Sequence, residues 1–147
     1  ENFHFAPVSW VNNPFVIAQN DNMVSINSAV QVDFFGQVCA ECIGLRQISG
    51  VGGQVDFVRG ASGSKGGKSI IAFPSTAAHG KVSRIVPNLD FGAAVTTGRN
   101  DVDYIVTEYG IAHLKGRTLR DRAKMLIEIS HPAFRDELMD EYRKRFK

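Results

Sequence analysis

The sequence lacks any apolar run approaching the roughly 20 residues that a membrane-crossing helix needs, so it gives no sign of a membrane partner. It also lacks a charge bias. Its 17 Lys and Arg stand against 15 Asp and Glu, and the formal net charge of +2 is too small and too interleaved to point to nucleic acid. No secretory signal pattern stands at the front. The two cysteines, Cys39 and Cys42, form a single C-x-x-C. A structural zinc site needs four ligands, and no second C-x-x-C or H-x-x-x-H accompanies them, so no metal is expected. A thioredoxin-type pair would open a helix, and residues 38–43 show no helix start. The pair therefore reads as two reduced thiols in a half-buried strand of a cytoplasmic protein. Neither G-x-G-x-x-G nor G-x-x-x-x-G-K-[ST] occurs, so dinucleotide and P-loop binding find no support. There is no internal repeat and no low-complexity tract.

What is present is ordinary globular material. At 147 residues, with 44% hydrophobic and 22% charged residues, the chain suits one domain around one sizeable core. Phe3, Phe5, Val8 and Trp10 crowd the front, and the first residue is not Met. Such apolar residues are expected to rest against something, as in a piece of a longer polypeptide.

The densest signal is Ser49 to Lys68, S-G-V-G-G-Q-V-D-F-V-R-G-A-S-G-S-K-G-G-K. Glycine permits left-handed backbone and close approach to a ligand because it has no Cβ. Gly50, Gly52 and Gly53 can turn several backbone N–H groups toward one point, a nest for an oxyanion or a phosphate. A helix starting over Gln54 to Gly60 would add its free N–H groups and dipole to that pull. Lys65 and Lys68 would supply positive charge just beyond. The competing reading is two flexible turns around a small helix.

Along the chain, residues 1–14 read as irregular and Phe15 to Ala18 as a short strand. The alternation from Val24 to Val32 predicts one strand with a single buried face. Residues 26–33 and 37–43 then read as a hairpin. Ser69 to Phe73 suits a strand covered on both faces. Ser75 to Lys81 reads as a polar loop, and Arg84 to Val86 as a brief strand. Residues 94–97 and 103–107 read as a second hairpin. Two helices close the chain. Thr118 is a candidate N-cap, with Asp121 three residues on. Pro132 stops the first helix and starts the second. Phe134, Leu138, Tyr142 and Phe146 form one stripe, and Arg143, Lys144, Arg145 and Lys147 a solvated basic end.

Two carboxylates stand out. Glu108 follows a strand end, the edge where α/β sheets bind ligands, although a surface turn is the plainer reading. Glu41 sits in a strand and reads as an outward-facing charge. His4, His79, His113 and His131 do not cluster in sequence, so no acid–base pair is legible. Ser49 lacks the G-x-S-x-G frame of a nucleophile. Asn27, among small residues on a strand, reads as a hydrogen-bonding filler.

Several longer phrases carry a resemblance. They are N-D-N-M-V-S-I-N-S-A-V-Q-V-D (20–33), G-Q-V-C-A-E (36–41), S-G-V-G-G-Q-V-D-F-V-R-G-A (49–61), G-G-K-S-I-I-A-F-P-S-T (66–76), S-R-I-V-P (83–87), D-V-D-Y-I-V-T-E-Y-G-I-A-H-L-K-G (101–116) and H-P-A-F-R-D-E-L (131–138). With them the chain resembles the C-terminal domain of the acetyl-CoA hydrolase/transferase family, nearest its 4-hydroxybutyrate and butyrate:acetate CoA-transferase branch. The resemblance implies an α/β fold of the NagB/RpiA/CoA-transferase type, with a mixed central sheet, flanking helices and two C-terminal helices. It implies coenzyme A, as acyl-CoA, with a short-chain carboxylate as co-substrate and the chain's own N-terminal domain as partner. A homo-oligomer is left open.

In such enzymes a glutamate carboxylate attacks the thioester, and a glutamyl-CoA thioester forms and is resolved by the acceptor carboxylate. The resemblance makes Gly53 an oxyanion-hole donor and gives Ser49, Gly52, Gly53 and Lys65 to the CoA site. It places Asn27 beside the nucleophile. The nucleophilic glutamate of the family lies in an H-[ST]-E motif upstream of the first residue here, and neither Glu41 nor Glu108 matches it. Residues 1–147 are thus expected to be a C-terminal domain that is inactive alone. The alternatives are acetyl-CoA hydrolysis by the parent protein and a non-catalytic CoA-binding or interaction module.

Overall fold

The computed structural model describes residues 3–147. In chain order, α1 (Val8–Val11) and α2 (Pro14–Ile17) precede β1 (Val24–Asn27), β2 (Gln31–Asp33), β3 (Val38–Cys39), β4 (Cys42–Ile43) and β5 (Arg46–Gln47). Then come α3 (Gln54–Gly63), β6 (Lys68–Ala72), β7 (Thr76–Ala77), β8 (Val82–Ser83) and β9 (Ile85–Val86). The chain closes with β10 (Tyr104–Thr107), β11 (Gly110–His113), α4 (Leu119–Glu128) and α5 (Pro132–Arg145). The expected α/β class with a mixed sheet and two closing helices is what forms.

The main sheet runs β1-β6-β10-β11. The first three strands are parallel, and β11 returns antiparallel to β10 through the turn at Glu108 and Tyr109. A smaller sheet, β3-β2-β9, packs onto one face of it. Val32, Phe34, Val38 and Ile85 share a buried core with Ile71, Ile105, Ala112 and Leu126. The opposite face of the main sheet is largely open.

Local signals explain the helices. Thr118 Oγ1 accepts from the Asp121 amide and donates to its carboxylate, so the expected cap of α4 forms. Pro132 occupies the first turn of α5, and the His131 side chain accepts from the Ala133 amide. Leu138 and Tyr142 are buried, with Phe134 and Phe146 packed beside them, as the stripe predicts. The basic end is only partly solvated: Arg143 and Lys144 pair with Asp140 and Glu141, but Arg145 reaches back to the Pro87 carbonyl and lies over the Phe35 ring.

Several expectations are corrected. Residues 15–18 are not a strand: Asn13 caps and Pro14 opens the helix α2. The front is not wholly irregular, since α1 forms a turn of helix. The alternation from Val24 to Val32 is two strands in different sheets, and only its second part pairs with β3 as a hairpin. Residues 37–43 split into β3 and β4, and residues 75–81 hold part of the small β7–β8 hairpin. β10 pairs with β11 and not with residues 94–97, where Thr97 makes only a bridge to Val38. β6 is covered on one face, since Ser69 and Ile71 are buried while Lys68 is exposed and Ile70 half-buried. Cys39 and Cys42 are fully buried, with Sγ atoms 3.4 Å apart.

Candidate active site

The glycine-rich stretch closes the β4–β5 hairpin and opens α3. Its entrance hangs from Glu41, whose backbone carbonyl accepts from the amides of Ile48 (2.8 Å) and Ser49 (3.1 Å). The Glu41 carboxylate is buried and takes hydrogen bonds from Gln47 Nε2 (3.0 Å) and Thr96 Oγ1 (2.8 Å). Gln47 also donates to the Ser49 carbonyl at 2.7 Å. Glu41 is thus no outward charge but the bracket that holds the loop. Its partners lie within a few residues or far along the chain, at Thr96, so spacing could not reveal it.

Among the described residues, none of the amides of Gly50, Val51, Gly52 and Gly53 has a hydrogen-bond acceptor. Gly52 is left-handed at φ +61°, a conformation that favours glycine. Gly53, at φ −93°, is the N-cap of α3 and has no side chain to satisfy the first-turn amides. A Cβ on Gly53 would meet Asn12 Nδ2 at 2.6 Å, so any side chain there requires this neighbour or the turn to shift.

The helix mouth faces an open hollow of about 740 Å³. Gly52, Gly53 and Asp56 form one wall, and Val8, Ser9 and residues 12–15 form the other. Among the described residues, Asp56 is the one charged side chain lining it. A helix N-terminus attracts negative charge, yet a neighbouring carboxylate disfavours a full dianion. The pairing suits a carbonyl oxygen that gains charge only transiently better than it suits a phosphate. Asn12 and Asp56 were not singled out in the sequence. They lie 44 positions apart and meet only through folding, Asn12 Nδ2 standing 3.5 Å from Asp56 Oδ2.

The other sequence candidates fall as follows. Asn27 ends β1 and donates to Ser25 Oγ at 3.2 Å. Because α3 runs antiparallel to the strand that follows it, its N-terminus and Asn27 share the carboxyl end of the sheet. Ser49 is exposed at the loop entrance, its Oγ donating to the Gly50 carbonyl. Lys65 and Lys68 do not stand beside the amides. They lie past the far end of the ten-residue α3, about 15 Å away, which corrects the picture of a cationic flank. Glu108 accepts from the amide (2.8 Å) and hydroxyl (2.6 Å) of Ser75. Burial raises its pKa, but the two Ser75 bonds, its own backbone amide and the nearby His131 together outweigh that and lower it. It therefore staples the β6–β7 turn to the β10–β11 turn. Among the described residues no cluster of three His, Cys, Asp or Glu side chains could hold a metal ion, and no helix is long and apolar enough to cross a membrane.

A family model described as the acetyl-CoA hydrolase/transferase C-terminal domain matches residues 1–142. The chain belongs to this family. It is 73% identical over 139 residues to the 4-hydroxybutyrate coenzyme A transferase of Clostridium kluyveri, covering 95% of this chain and 32% of that protein. RipA from Yersinia pestis superposes with a TM-score of 0.88 at 55% identity, over 95% of this chain and 31% of that one. The 4-hydroxybutyrate CoA-transferase of Porphyromonas gingivalis superposes with a TM-score of 0.77 at 53% identity, over 96% of this chain and 31% of that one. More distant relatives include an acetyl-CoA hydrolase of Yarrowia lipolytica, 32% identical over 87% of this chain and 24% of that protein. The chain thus spans about a third of the length of the transferases it matches.

Proposed function

We propose that this chain is the C-terminal domain of a CoA-transferase that moves coenzyme A between an acyl-CoA and a short-chain carboxylate. It supplies the oxyanion-hole loop and part of the CoA site. The observation that carries this reading is the set of unengaged amides from Gly50 to Gly53 at the mouth of α3, of which Gly52 and Gly53 line a hollow large enough for a thioester. The nucleophilic glutamate comes from the part of the parent polypeptide that this chain does not span.

In the proposed reaction that carboxylate attacks the thioester carbonyl. The oxygen gains charge beside the Gly53 amide, the C–S bond breaks, and CoA thiolate leaves with a mixed anhydride behind it. The thiolate then attacks the glutamyl carbonyl, releasing the first carboxylate and forming the glutamyl-CoA thioester. The acceptor carboxylate repeats both steps in reverse, forming the new acyl-CoA and freeing the glutamate. Asn27 sits beside the nucleophile. Ser49, Gly52 and Gly53 hold the reacting end of CoA, and Lys65 meets a remote part of that long ligand. Wild-type parent polypeptide is expected to exchange CoA between acetyl-CoA and butyrate, and residues 1–147 alone to show no turnover. Exchange by residues 1–147 alone would refute the division of labour.

The similarity to acetyl-CoA hydrolases favours one other reading, in which water resolves the glutamyl-CoA. Release of free CoA without a carboxylate acceptor would select it. The cytoplasmic setting expected from the two free thiols belongs to the same proposal.

A further inference from the structure

The main sheet has one covered and one bare face. The register places Ile26, Ile70, Tyr104 and His113 in one row, with Val24 and Lys68 behind it and Ala72, Val106 and Ile111 ahead, all on the same side. On that side Val24 is 48%, Ile26 69% and Ile111 67% exposed. Parallel strands normally lie covered on both faces, so an apolar face of this extent calls for a second layer.

This chain cannot provide that layer from its own connections. β1 leads through α3 to β6, and β6 leads through residues 73–103 to β10, each step moving the same way across the sheet. Right-handed crossovers taken in one direction all land on one face, the face α3 already occupies. Covering the other face takes strands wound the opposite way from β1, whose outer edge is unpaired among the described residues.

Resting on the reading that the chain is part of a longer transferase, we infer that the bare face and the open β1 edge receive the rest of the parent polypeptide. That partner adds at least one parallel strand beside β1 and lays two amphipathic helices over Val24, Ile26, Ile70, Tyr104, Val106 and Ile111. The dimensions fit: four strands at about 4.8 Å span roughly 19 Å, the width of two helices packed about 10 Å apart. The relatives have the material, since this chain accounts for 32% of the Clostridium kluyveri transferase. The arrangement makes β1 the strand at which the winding reverses, and Asn27 ends it at the carboxyl edge.

Thiol labelling tests this without reading activity. Single cysteines replace Ile26, Ile111 and, as a control on the opposite side, Lys144. Each is made in residues 1–147 and in the full-length parent, the native Cys39 and Cys42 being buried. Maleimide is expected to label Ile26→Cys and Ile111→Cys rapidly in the short chain and at least about 100-fold more slowly in the parent. Lys144→Cys is expected to label alike in both. Equal rates for Ile26→Cys and Ile111→Cys in the two proteins would overturn the inference. So would concentration-dependent protection in the short chain, which would make a second copy the occupant. Should the short chain fail to stay folded, the comparison is Ile111→Cys against Lys144→Cys within the parent, and equal labelling there overturns it as well. CoA exchange assayed on the same unmodified parent fails or succeeds independently, so a wrong docking face and a wrong function are told apart.

Discussion

Replacing the three loop glycines one at a time separates backbone strain from crowding at the proposed oxyanion site. At Gly50 nothing lies within 4 Å of an added Cβ and φ is ordinary, so Gly50→Ala is expected to be silent. At Gly52 the space is equally open, but φ is +61°. Gly52→Ala should therefore cost about 1–2 kcal/mol of folding stability, the usual price of holding an L-residue left-handed. At Gly53 the backbone tolerates alanine, and the obstacle is Asn12 Nδ2 at 2.6 Å. Either Asn12 or the first turn of α3 must move by nearly an ångström to reach ordinary contact. In folding terms this is small, since the far end of a side chain can turn away. In the parent enzyme a displaced oxyanion donor is expected to lower kcat by about 100-fold or more, the scale of losing one such donor. The double variant Asn12→Ala with Gly53→Ala restores the room and should recover most of that loss. The assay is acyl exchange from acetyl-CoA to butyrate by the parent, with urea denaturation of each variant as a check on folding. Near wild-type kcat for Gly53→Ala, or no recovery on removing the Asn12 side chain, would refute the assignment of that amide.

Thr118→Ala should remove the α4 cap and lower stability by about 1 kcal/mol, read from the urea midpoint. Ser75→Ala should remove both the hydroxyl donor to Glu108 and part of the turn that supports it. With this carboxylate exposed, the loss is held to about 1 kcal/mol. Because the folded pKa of Glu108 is lowered, its share of stability is present above the ordinary glutamate range and is lost as pH falls through the folded value. The gap between wild type and Ser75→Ala should accordingly narrow below about pH 4 in a pH series of unfolding curves. Arg122 is buried and its Nη1 donates to the carbonyls of Phe35 (3.1 Å) and Arg99 (2.6 Å). Arg122→Leu should strand both carbonyls and cost about 2–3 kcal/mol by the same measurement.

The two closing helices were legible because their signals are local. Thr118 with Asp121, and His131 with Pro132, mark helix starts within four residues, and the Phe134–Phe146 stripe needs only helical spacing. The front was misread although Asn13-Pro14 carries a helix-start signal, because four apolar residues after it also fit a strand. The break between β1 and β2 was not legible: Val24 to Val32 alternates without a glycine or proline, and the change of sheet is decided by what each part packs against. The turn of the β10–β11 hairpin was lost for a related reason. Residues 94–97 look as strand-like as residues 110–113, and pairing separates them. For the site, the glycines announced the unengaged amides, and the helix after them was expected as an option. The hollow was not announced, since Asn12 and Asp56 meet across 44 residues. The lysines were read as neighbours of the glycines in sequence, and a ten-residue helix carries them to its other end.

The last turn of α5 has a practical meaning for anyone cutting or tagging this protein. Arg145 grips the Pro87 carbonyl and the Asn88 side chain and spreads its guanidinium over Phe35, closing the final helix onto the segment after β9. The basic terminus is a latch, and trimming the chain before Arg145 would unclasp the end of the closing helix, leaving Leu138 and Tyr142 to hold the rest of it to the core.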